Sequence, residues 1–216
     1  MSTLRFIVDN WDTLRPQIVV HLEIVGICVL VAGVLGLLIG IAAARSDAFA
    51  TVALAVTSSM LTIPSFALFG LLSIWAGLGN PPVIIGLVLY ALLPMVRNTR
   101  AGIVAVDPAV VEAARGMGMS RGQVLLRVEL PLAVPVILGG LRQATVMIVA
   151  IATVGATVGA NDLGQPILAA LTRDTGTLEQ VLAGIIPVAV IGIAADLVLA
   201  ALQRGLSRGR VAVAAA

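Results

Sequence analysis

The sequence predicts an all-α integral membrane protein with about five transmembrane helices. Hydrophobic residues make up 60% of the chain and charged residues only 11%, whereas soluble domains carry about 25% charged residues. The mean hydropathy of +1.12 points the same way. Several apolar runs are long enough to cross a bilayer, which takes about 20 helical residues. Abundant glycine and alanine would let such helices pack closely.

The first predicted span covers residues 18–44 and follows a polar segment, residues 1–17, which we expect to be extracytoplasmic. The alanines at 42–44 resemble the cleavage site of a signal peptide. However, the apolar region of a signal peptide has about 7–15 residues, and this run is much longer. We therefore predict that it stays in the membrane as a helix.

A second apolar stretch, residues 48–78, is too long for one straight helix. Pro64 and Ser65 lie near its middle. Because proline removes a helix hydrogen bond, we predict a break at Pro64, with neighbouring helices satisfying the freed backbone groups. Both residues are candidates for a structural role or for lining a pathway.

Three further spans are predicted at residues 82–96, 135–158 and 181–203, so that residues 18–203 form one transmembrane domain and residues 204–216 a cytoplasmic tail. Cytoplasmic segments of membrane proteins carry an excess of arginine and lysine. The arginines that follow the third span or lie in the tail are Arg97, Arg100, Arg115, Arg121, Arg127, Arg204, Arg208 and Arg210. This distribution predicts an N-terminus outside the cell and a C-terminus in the cytoplasm.

The arginine-rich loop has a charged, glycine-broken core at residues 107–131. An Asp-Pro pair at 107–108 predicts a helix start, because Asp is a favoured N-cap and Pro fits the first helical turn. A short helix would then cover residues 109–115. Gly116 and Gly118 are expected to end it with left-handed backbone angles.

Ser120 is expected to cap a second helix, residues 121–128, which Pro131 would end. A helix, a glycine bend and a second helix would make a compact knob projecting from the membrane. The plain alternative is an amphipathic surface helix that binds nothing.

Loop 107–131 resembles the cytoplasmic coupling loop of ABC importer permeases, which is held by a separate ATPase. The shared pattern is Glu-Ala-Ala, three residues, Gly, nine residues, an aliphatic residue, one residue and Leu-Pro. Its positions in this chain are Glu112, Ala113, Ala114, Gly118, Val128, Leu130 and Pro131. The resemblance implies that these residues couple the chain to the ATPase. The small side chains of Ala113 and Ala114 would let a partner surface come close.

Over most of residues 18–200 the chain is similar to permeases of the glycine betaine, carnitine and choline class. The segments that carry this likeness are 62–68, 89–94, 97–99, 112–119 and 129–133. The resemblance implies a type I ABC importer permease of the bacterial inner membrane, forming the channel for quaternary amine compatible solutes without an ATPase site of its own. The implied partners are an ABC ATPase that binds the ATP, an extracytoplasmic substrate-binding protein, and a second permease copy or a homologous permease.

Two other transport functions fit the same sequence less well. One is a permease for another small solute, such as an amino acid. The other is a self-sufficient secondary transporter, although such proteins usually contain internal repeats with matching broken helices. The break at Pro64 has no clear counterpart in the second half of the chain.

One segment departs from the class. Where the class reads Gly-Ala-Gly-Gly-Leu-Gly after the fourth span, this chain has Asn161 and Asp162 in place of the two middle glycines. Asn and Asp tolerate left-handed backbone angles better than most residues, so a tolerated turn substitution is one interpretation. The other is that Asp162 adds a carboxylate at the outer mouth, where substrate enters, and alters docking or substrate preference.

Ionisable residues within the spans are functional candidates, because a charge inside a membrane is costly. Arg142 and Asp196 lie at similar depths on the fourth and fifth spans. This placement predicts an ion pair between them, with pathway lining as the alternative. His21 and Glu23 lie near the outer end of the first span, where they could simply reach the interface.

The sequence offers little support for an enzyme. The phosphate-binding pattern Gly-x-x-x-x-Gly-Lys-Ser/Thr and zinc-ligand spacing are both absent. The single cysteine, Cys28, has no partner for an internal disulfide. Ser58 and Ser59 are the best candidates for an intramembrane hydrolase, and they lack evident catalytic company. We expect no catalytic residues, cofactor, metal or nucleic acid partner, and contact with membrane lipid.

Overall fold

The computed structural model describes residues 3–211, with side chains for residues 3–206. Residues 1, 2 and 212–216, which belong to the predicted terminal segments, lie outside the described residues. The elements in chain order are α1 (Thr3–Asp9), α2 (Trp11–Arg45), α3 (Asp47–Thr62), α4 (Ser65–Ala76), α5 (Asn80–Val104), α6 (Pro108–Gly116), α7 (Arg121–Val124), a π-helical turn (Leu125–Glu129), α8 (Leu130–Ala152), a 3-10 helix (Thr153–Val158), α9 (Gly164–Thr172) and α10 (Leu178–Val211).

Four segments of the described chain are long and apolar enough to cross a membrane: α2, α5, α10 and the continuous run from Arg121 to Val158. Helices α3 and α4 are together long and apolar enough to cross a membrane, although a short break and a bend of 100° separate them. With this bent pair counted as one span, the helices that can cross a membrane number five, as the sequence predicts.

The break between α3 and α4 falls at Pro64, which confirms that prediction. Ile63 has extended backbone angles (φ −77°, ψ 126°), so its carbonyl group leaves the helical pattern. The hydroxyl of Tyr90 on α5 donates a hydrogen bond to this carbonyl at 2.8 Å. A neighbouring helix thus satisfies a backbone group that the break frees, which makes the bend compatible with a membrane. Ser65 is the first residue of α4.

The core lies where α2, α5 and α8 pack against one another. A β-carbon added at Gly36 on α2 would lie 2.3 Å from Met95 of α5, and one at Gly40 would lie 2.4 Å from Thr99. These two glycines therefore let α2 and α5 approach closely within the chain. The largest fully buried side chains of the core include Ile24, Phe69, Leu87 and Ile148.

Helix α5 is longer than predicted. The sequence suggests that the third span ends near residue 96, but α5 continues to Val104. Arg100 stabilises this extension, because its Nη2 donates to Asp47 Oδ1 at 2.8 Å and its Nε donates to the Ala43 carbonyl at 3.3 Å. These two contacts attach the added part of α5 to the end of α2 and the start of α3. Arg97 and Arg100 therefore lie on α5, and the prediction of a loop there is wrong.

The prediction that Pro131 ends the second helix of the loop is also wrong. The chain is helical without interruption from Arg121 to Val158. Leu130 and Pro131 begin α8, directly after the π-helical turn. Proline is tolerated in the first turn of a helix, where its missing N–H has no helical partner to lose. The predicted start of the fourth span at Pro135 is instead an internal position of α8.

The first and last long helices, α2 and α10, also extend beyond their predicted spans. Helix α2 begins at Trp11, and α10 runs from Leu178 to Val211, so parts of both predicted terminal segments are helical. The N–H of Gly79 donates to the Val158 carbonyl at 2.8 Å, which places the start of α5 beside the end of the 3-10 helix. Because consecutive spans alternate in direction, loop 107–131 lies at the opposite end of the bundle, together with the end of α10.

Candidate functional site

Helix α6 forms the first half of the knob at 107–131 and begins as predicted. The side chain of Asp107 accepts a hydrogen bond from the Ala109 N–H at 2.8 Å, and Pro108 occupies the first turn. This bond satisfies one of the N–H groups that a helix start leaves without a partner. The local sequence alone is sufficient to begin this helix.

The helix ends at Gly116, and the turn that follows it contains Gly118, which has a left-handed backbone (φ +83°). The N–H of Met119 donates to the Ala114 carbonyl at 3.2 Å, and the N–H of Gly118 donates to the Arg115 carbonyl at 2.9 Å. These two bonds form a Schellman motif, which glycine favours because it lacks a β-carbon. Gly116 remains helical, so the prediction of a left-handed angle is confirmed for Gly118 and wrong for Gly116.

The second helical segment starts with a capping box. The hydroxyl of Ser120 accepts from the Gln123 N–H at 3.4 Å, and the Gln123 side chain accepts from the Ser120 N–H at 2.8 Å. Val124 is buried, and so is Ala114 from the first helix. Two capped helices with buried residues between them make the predicted knob.

The knob presents a mixed surface. Glu112 and Ala113 are exposed, and Met117 has 74% of its surface accessible. Ala114 is only 2% exposed, so the expectation that both alanines lie at the surface is wrong for Ala114. Ala114 is covered because α6 packs against α7 and the π-helical turn that follows it. A partner would meet a carboxylate, a small side chain and a flexible apolar one.

The base of the knob is tied to the membrane helices by a contact that the sequence analysis missed. Glu129 is 5% exposed. Arg45, the last residue of α2, donates its Nη1 to Glu129 Oε1 at 3.1 Å and its Nη2 to Oε2. Such a bidentate pair fixes orientation as well as position. The signal in the sequence is a carboxylate set among aliphatic residues, which requires a cationic partner but does not identify it.

In the membrane domain the structure brings Arg142 and Asp196 together, which confirms the predicted contact. Nε and Nη2 of Arg142 each donate to a different carboxylate oxygen of Asp196, both at 2.9 Å. The remaining Nη1 donates to Gln203 Oε1 at 2.9 Å, and Gln203 Nε2 donates to the Pro135 carbonyl at 2.7 Å. This network joins α8 to α10. Sequence reasoning missed Gln203, although a glutamine near the end of an apolar span is a visible signal.

At the other end of the bundle Asp162 is completely buried. Its Oδ1 accepts from the Gly164 N–H at 2.9 Å, and its Oδ2 lies 3.4 Å from Nδ1 of His21. His21 is also fully buried, whereas Glu23 is exposed. The interpretation that Asp162 offers its carboxylate at an open mouth is therefore wrong, as is the expectation that His21 reaches the interface. The two polar side chains therefore lie against each other inside the protein.

The chain is similar in sequence to inner membrane components of transport systems. The family described as "Binding-protein-dependent transport system inner membrane component" matches residues 36–208. The choline transport system permease protein OpuBD of Bacillus subtilis (strain 168) is 44% identical over 179 residues, which are 83% of this chain and 79% of that protein. The osmoprotectant import permease protein OsmW of Salmonella typhimurium is 36% identical over 208 residues, covering 94% of this chain and 96% of that protein.

Solved structures share the fold. An inward-facing structure of the MetNI methionine ABC transporter has a chain that matches with a TM-score of 0.77 at 19% identity, covering 89% of this chain and 95% of that one. An amino acid ABC transporter solved with histidines matches with a TM-score of 0.76 at 20% identity, covering 94% and 98%. At such identities the likeness concerns the fold alone, and it confirms the predicted type I ABC importer permease architecture.

Proposed function

Because the chain belongs to the family of binding-protein-dependent transport system inner membrane components, we propose that it is the channel subunit of an ATP-driven importer of quaternary amine compatible solutes. The observation that carries this proposal is the identity of 35–44% to permeases named for choline, carnitine, glycine betaine or osmoprotectant transport. The methionine transporter and the amino acid transporter solved with histidines match only in fold, at 19–20% identity. The relatives therefore favour this function over amino-acid import.

The partners follow from the family and from the knob. A separate ABC ATPase binds loop 107–131 and holds the ATP, a substrate-binding protein delivers solute at the opposite end, and a second permease completes the channel. The exposed side chains of Glu112, Ala113 and Met117 support the first of these contacts. In this arrangement the knob and the C-terminus lie in the cytoplasm and the N-terminus lies outside.

The continuous helical run gives the knob a direct connection to the membrane domain. The run from Arg121 to Val158 begins in the knob and ends at the opposite end of the bundle. When the ATPase subunits close, they move the knob, and this helix carries the movement to the Arg142–Asp196 pair. The Arg45–Glu129 pair transmits the same movement to α2. The π-helical turn at residues 125–129 is the natural place for bending, since such turns interrupt regular helix geometry.

Uptake of labelled glycine betaine and choline tests this proposal, in cells that express the chain with its ATPase and binding protein. A Glu112→Arg variant serves as the coupling control, because it reverses an exposed charge of the knob without disturbing a buried contact. We expect uptake by the parent and at least a tenfold loss in the variant at equal membrane abundance, the scale of losing one charge-assisted contact or more. Unlabelled competitors then rank the solutes.

Two results would contradict parts of the proposal. Undiminished uptake by Glu112→Arg would show that Glu112 does not couple the chain to the ATPase. No uptake by the parent, despite an assembled complex, would leave the family membership intact and remove quaternary amines as the cargo. An amino-acid panel would then be the next set of substrates.

A further inference from the structure

A polar cavity of about 280 Å³ lies between α1, the start of α2, α9 and the start of α10. It is at the end of the bundle opposite the knob, since α2 ends at the base of the knob. The polar side chains that line it are Asn10, Thr13, Gln17, Gln165, Arg173 and Gln180. Sites for small organic ligands typically have roughly 300–1,000 Å³. This cavity is slightly smaller, and it suits one or two side chains better than a whole solute.

Two amide side chains in the cavity wall are held by bonds within the chain. Gln165 Nε2 donates to the Ala160 carbonyl at 2.8 Å. The Oε1 of Gln180 accepts from the Thr177 N–H at 3.3 Å, at the start of α10. These bonds fix the positions of the two side chains, so the cavity wall is built before any partner arrives.

Gln17 lines the same cavity, but its amide oxygen has no partner. The residue is only 8% exposed, and Oε1 accepts no hydrogen bond from any residue that the structure describes. A buried acceptor without a donor is costly, because it has lost its bonds to water and gained none in return. Gln17 therefore marks a position at which an N–H or O–H group from outside the chain would bind.

The guanidinium of Arg173 is the second group in the cavity without a partner. Arg173 is exposed, and among the described residues that line the cavity it is the only charged one. Its side chain makes no ion pair or hydrogen bond within the described part of the chain. An exposed arginine alone would be ordinary. Next to the buried oxygen of Gln17, it gives the cavity two requirements, which are an anionic acceptor and a hydrogen-bond donor.

The polar surface continues beyond this cavity. An adjoining cavity, also of about 280 Å³, shares Phe6, Asn10 and Gln180 with the first and is lined in addition by Thr177 and Glu179. The combined surface runs across α1 and the starts of α2 and α10, and it carries charges of both signs at separate positions. Such a pattern of charges favours recognition of a protein surface with the complementary pattern.

We infer that this surface is a docking site for the substrate-binding protein, and that a carboxylate of that protein enters the cavity lined by Gln17 and Arg173. The inference rests on the proposed function, which supplies the partner and places this end of the bundle outside the cell. Arg173 binds the carboxylate through its fork of N–H donors, a geometry that suits carboxylates. A backbone N–H or a hydroxyl of the same loop donates to Gln17 Oε1. Docking thus satisfies both groups that the chain leaves without a partner.

Binding of the purified substrate-binding protein to the complete transporter in nanodiscs tests this site. The nanodiscs contain phosphatidylcholine only, so that no anionic lipid competes for Arg173. We expect Arg173→Gln to weaken the affinity about tenfold, the scale of one hydrogen bond between charged groups. The difference should shrink at high salt, which screens exposed charges. In transport assays the KM for the loaded binding protein should rise while the maximal rate stays the same.

The matched control is Arg15→Gln. It removes another exposed arginine at the same end of the bundle, outside both cavities. This variant should keep the parental affinity. The contacting carboxylate is then found by charge reversal: Arg173→Glu is combined with binding-protein variants in which surface carboxylates are changed to arginine one at a time. One of these combinations should restore the affinity.

Gln17→Leu separates a docking role from a structural one. The variant removes a buried acceptor that has no donor, so the melting temperature of the free transporter should not fall. The affinity for the binding protein should nevertheless fall about fivefold, the scale of one neutral hydrogen bond. A purely structural glutamine would give the opposite result, with lower stability and parental affinity.

Parental affinity in either Arg173→Gln or Gln17→Leu would overturn the docking site. It would leave the proposed function standing, because the parent would still bind the substrate-binding protein. An effect of Arg173→Gln that appears only after anionic lipid is added would assign the arginine to a lipid headgroup, and it would also overturn the site. A parent transporter that does not bind the substrate-binding protein at all would overturn the site and the proposed function together.

Discussion

Two glycine-containing turns at opposite ends of the bundle differ in how closely the rest of the chain surrounds them. The turn in the knob contains Gly118 (φ +83°), and the turn after the fourth span contains Gly159 (φ +90°). A β-carbon at Gly118 would meet nothing within 4 Å. In the second turn, a β-carbon at Gly164 would lie 1.9 Å from the Thr153 carbonyl oxygen. The first turn is free on its outer side, and the second is enclosed by the chain.

This difference shows where the constraint on each turn originates. The knob turn is stabilised by hydrogen bonds among neighbours in sequence, and its free surface is available to a partner. The enclosed turn depends on residues far away, since His21 on α2 covers Asp162 and Gly79 pairs with Val158. Substitutions in the enclosed turn should therefore act on stability. Substitutions in the knob should act on coupling.

The largest expected loss of stability comes from Gly164→Ala, which tests whether the second turn is truly enclosed. The new methyl group would overlap the Thr153 backbone, and backbone cannot move aside as a flexible side chain can. We expect a loss of about 3 kcal/mol or more, measured as the melting temperature and yield of the detergent-purified protein.

The matched control for this variant is Gly122→Ala, because a β-carbon there meets nothing within 4 Å. Gly122 is helical, so alanine should stabilise it by up to about 1 kcal/mol. Equal melting temperatures for Gly164→Ala and the parent would contradict the enclosed geometry.

A smaller loss is expected for Asp162→Gly, which restores the glycine of the permease class. The change leaves His21 buried without its carboxylate neighbour and removes the acceptor for the Gly164 N–H. The expected cost is about 1–3 kcal/mol. Because the carboxylate is buried, the ranking of solutes should not change. Asp174→Gly, at an exposed position nearby in sequence, is the control. A changed solute ranking in Asp162→Gly alone would restore the docking interpretation.

The smallest effect on stability, about 1–2 kcal/mol of backbone strain, is expected for Gly118→Ala. Its effect on transport should be large, because the strained turn would redirect the knob away from the ATPase. Gly116→Ala makes the same chemical change two residues away, at a helical position with open space. We expect uptake to fall in the first variant and to persist in the second. Similar uptake in both would show that the turn geometry is not needed for coupling.

Features that depend on a few neighbouring residues could be predicted from the sequence. The break at Pro64, the cap at Asp107, the capping role of Ser120 and the left-handed Gly118 all follow from local backbone rules. The ion pair between Arg142 and Asp196 was also predictable, since two opposite charges at one depth in a membrane have few other partners.

Other features required knowledge of what surrounds each residue. Local rules predict that Pro131 ends a helix. Instead it lies in the first turn of α8, which directly follows the π-helical turn. The extended part of α5 is joined to α3 by a contact between Arg100 and Asp47, residues far apart in sequence. The covered position of Asp162 depends on the path of α2.

The sequence by itself determined that this chain is a helical membrane protein, that its second span breaks at a proline and that a glycine-bent knob projects from it. Composition and local backbone chemistry suffice for these features, because each arises within a few residues. Only the tertiary structure decided which charges meet and which side chains are covered. Burial and pairing are properties of helices brought together, so no single segment specifies them.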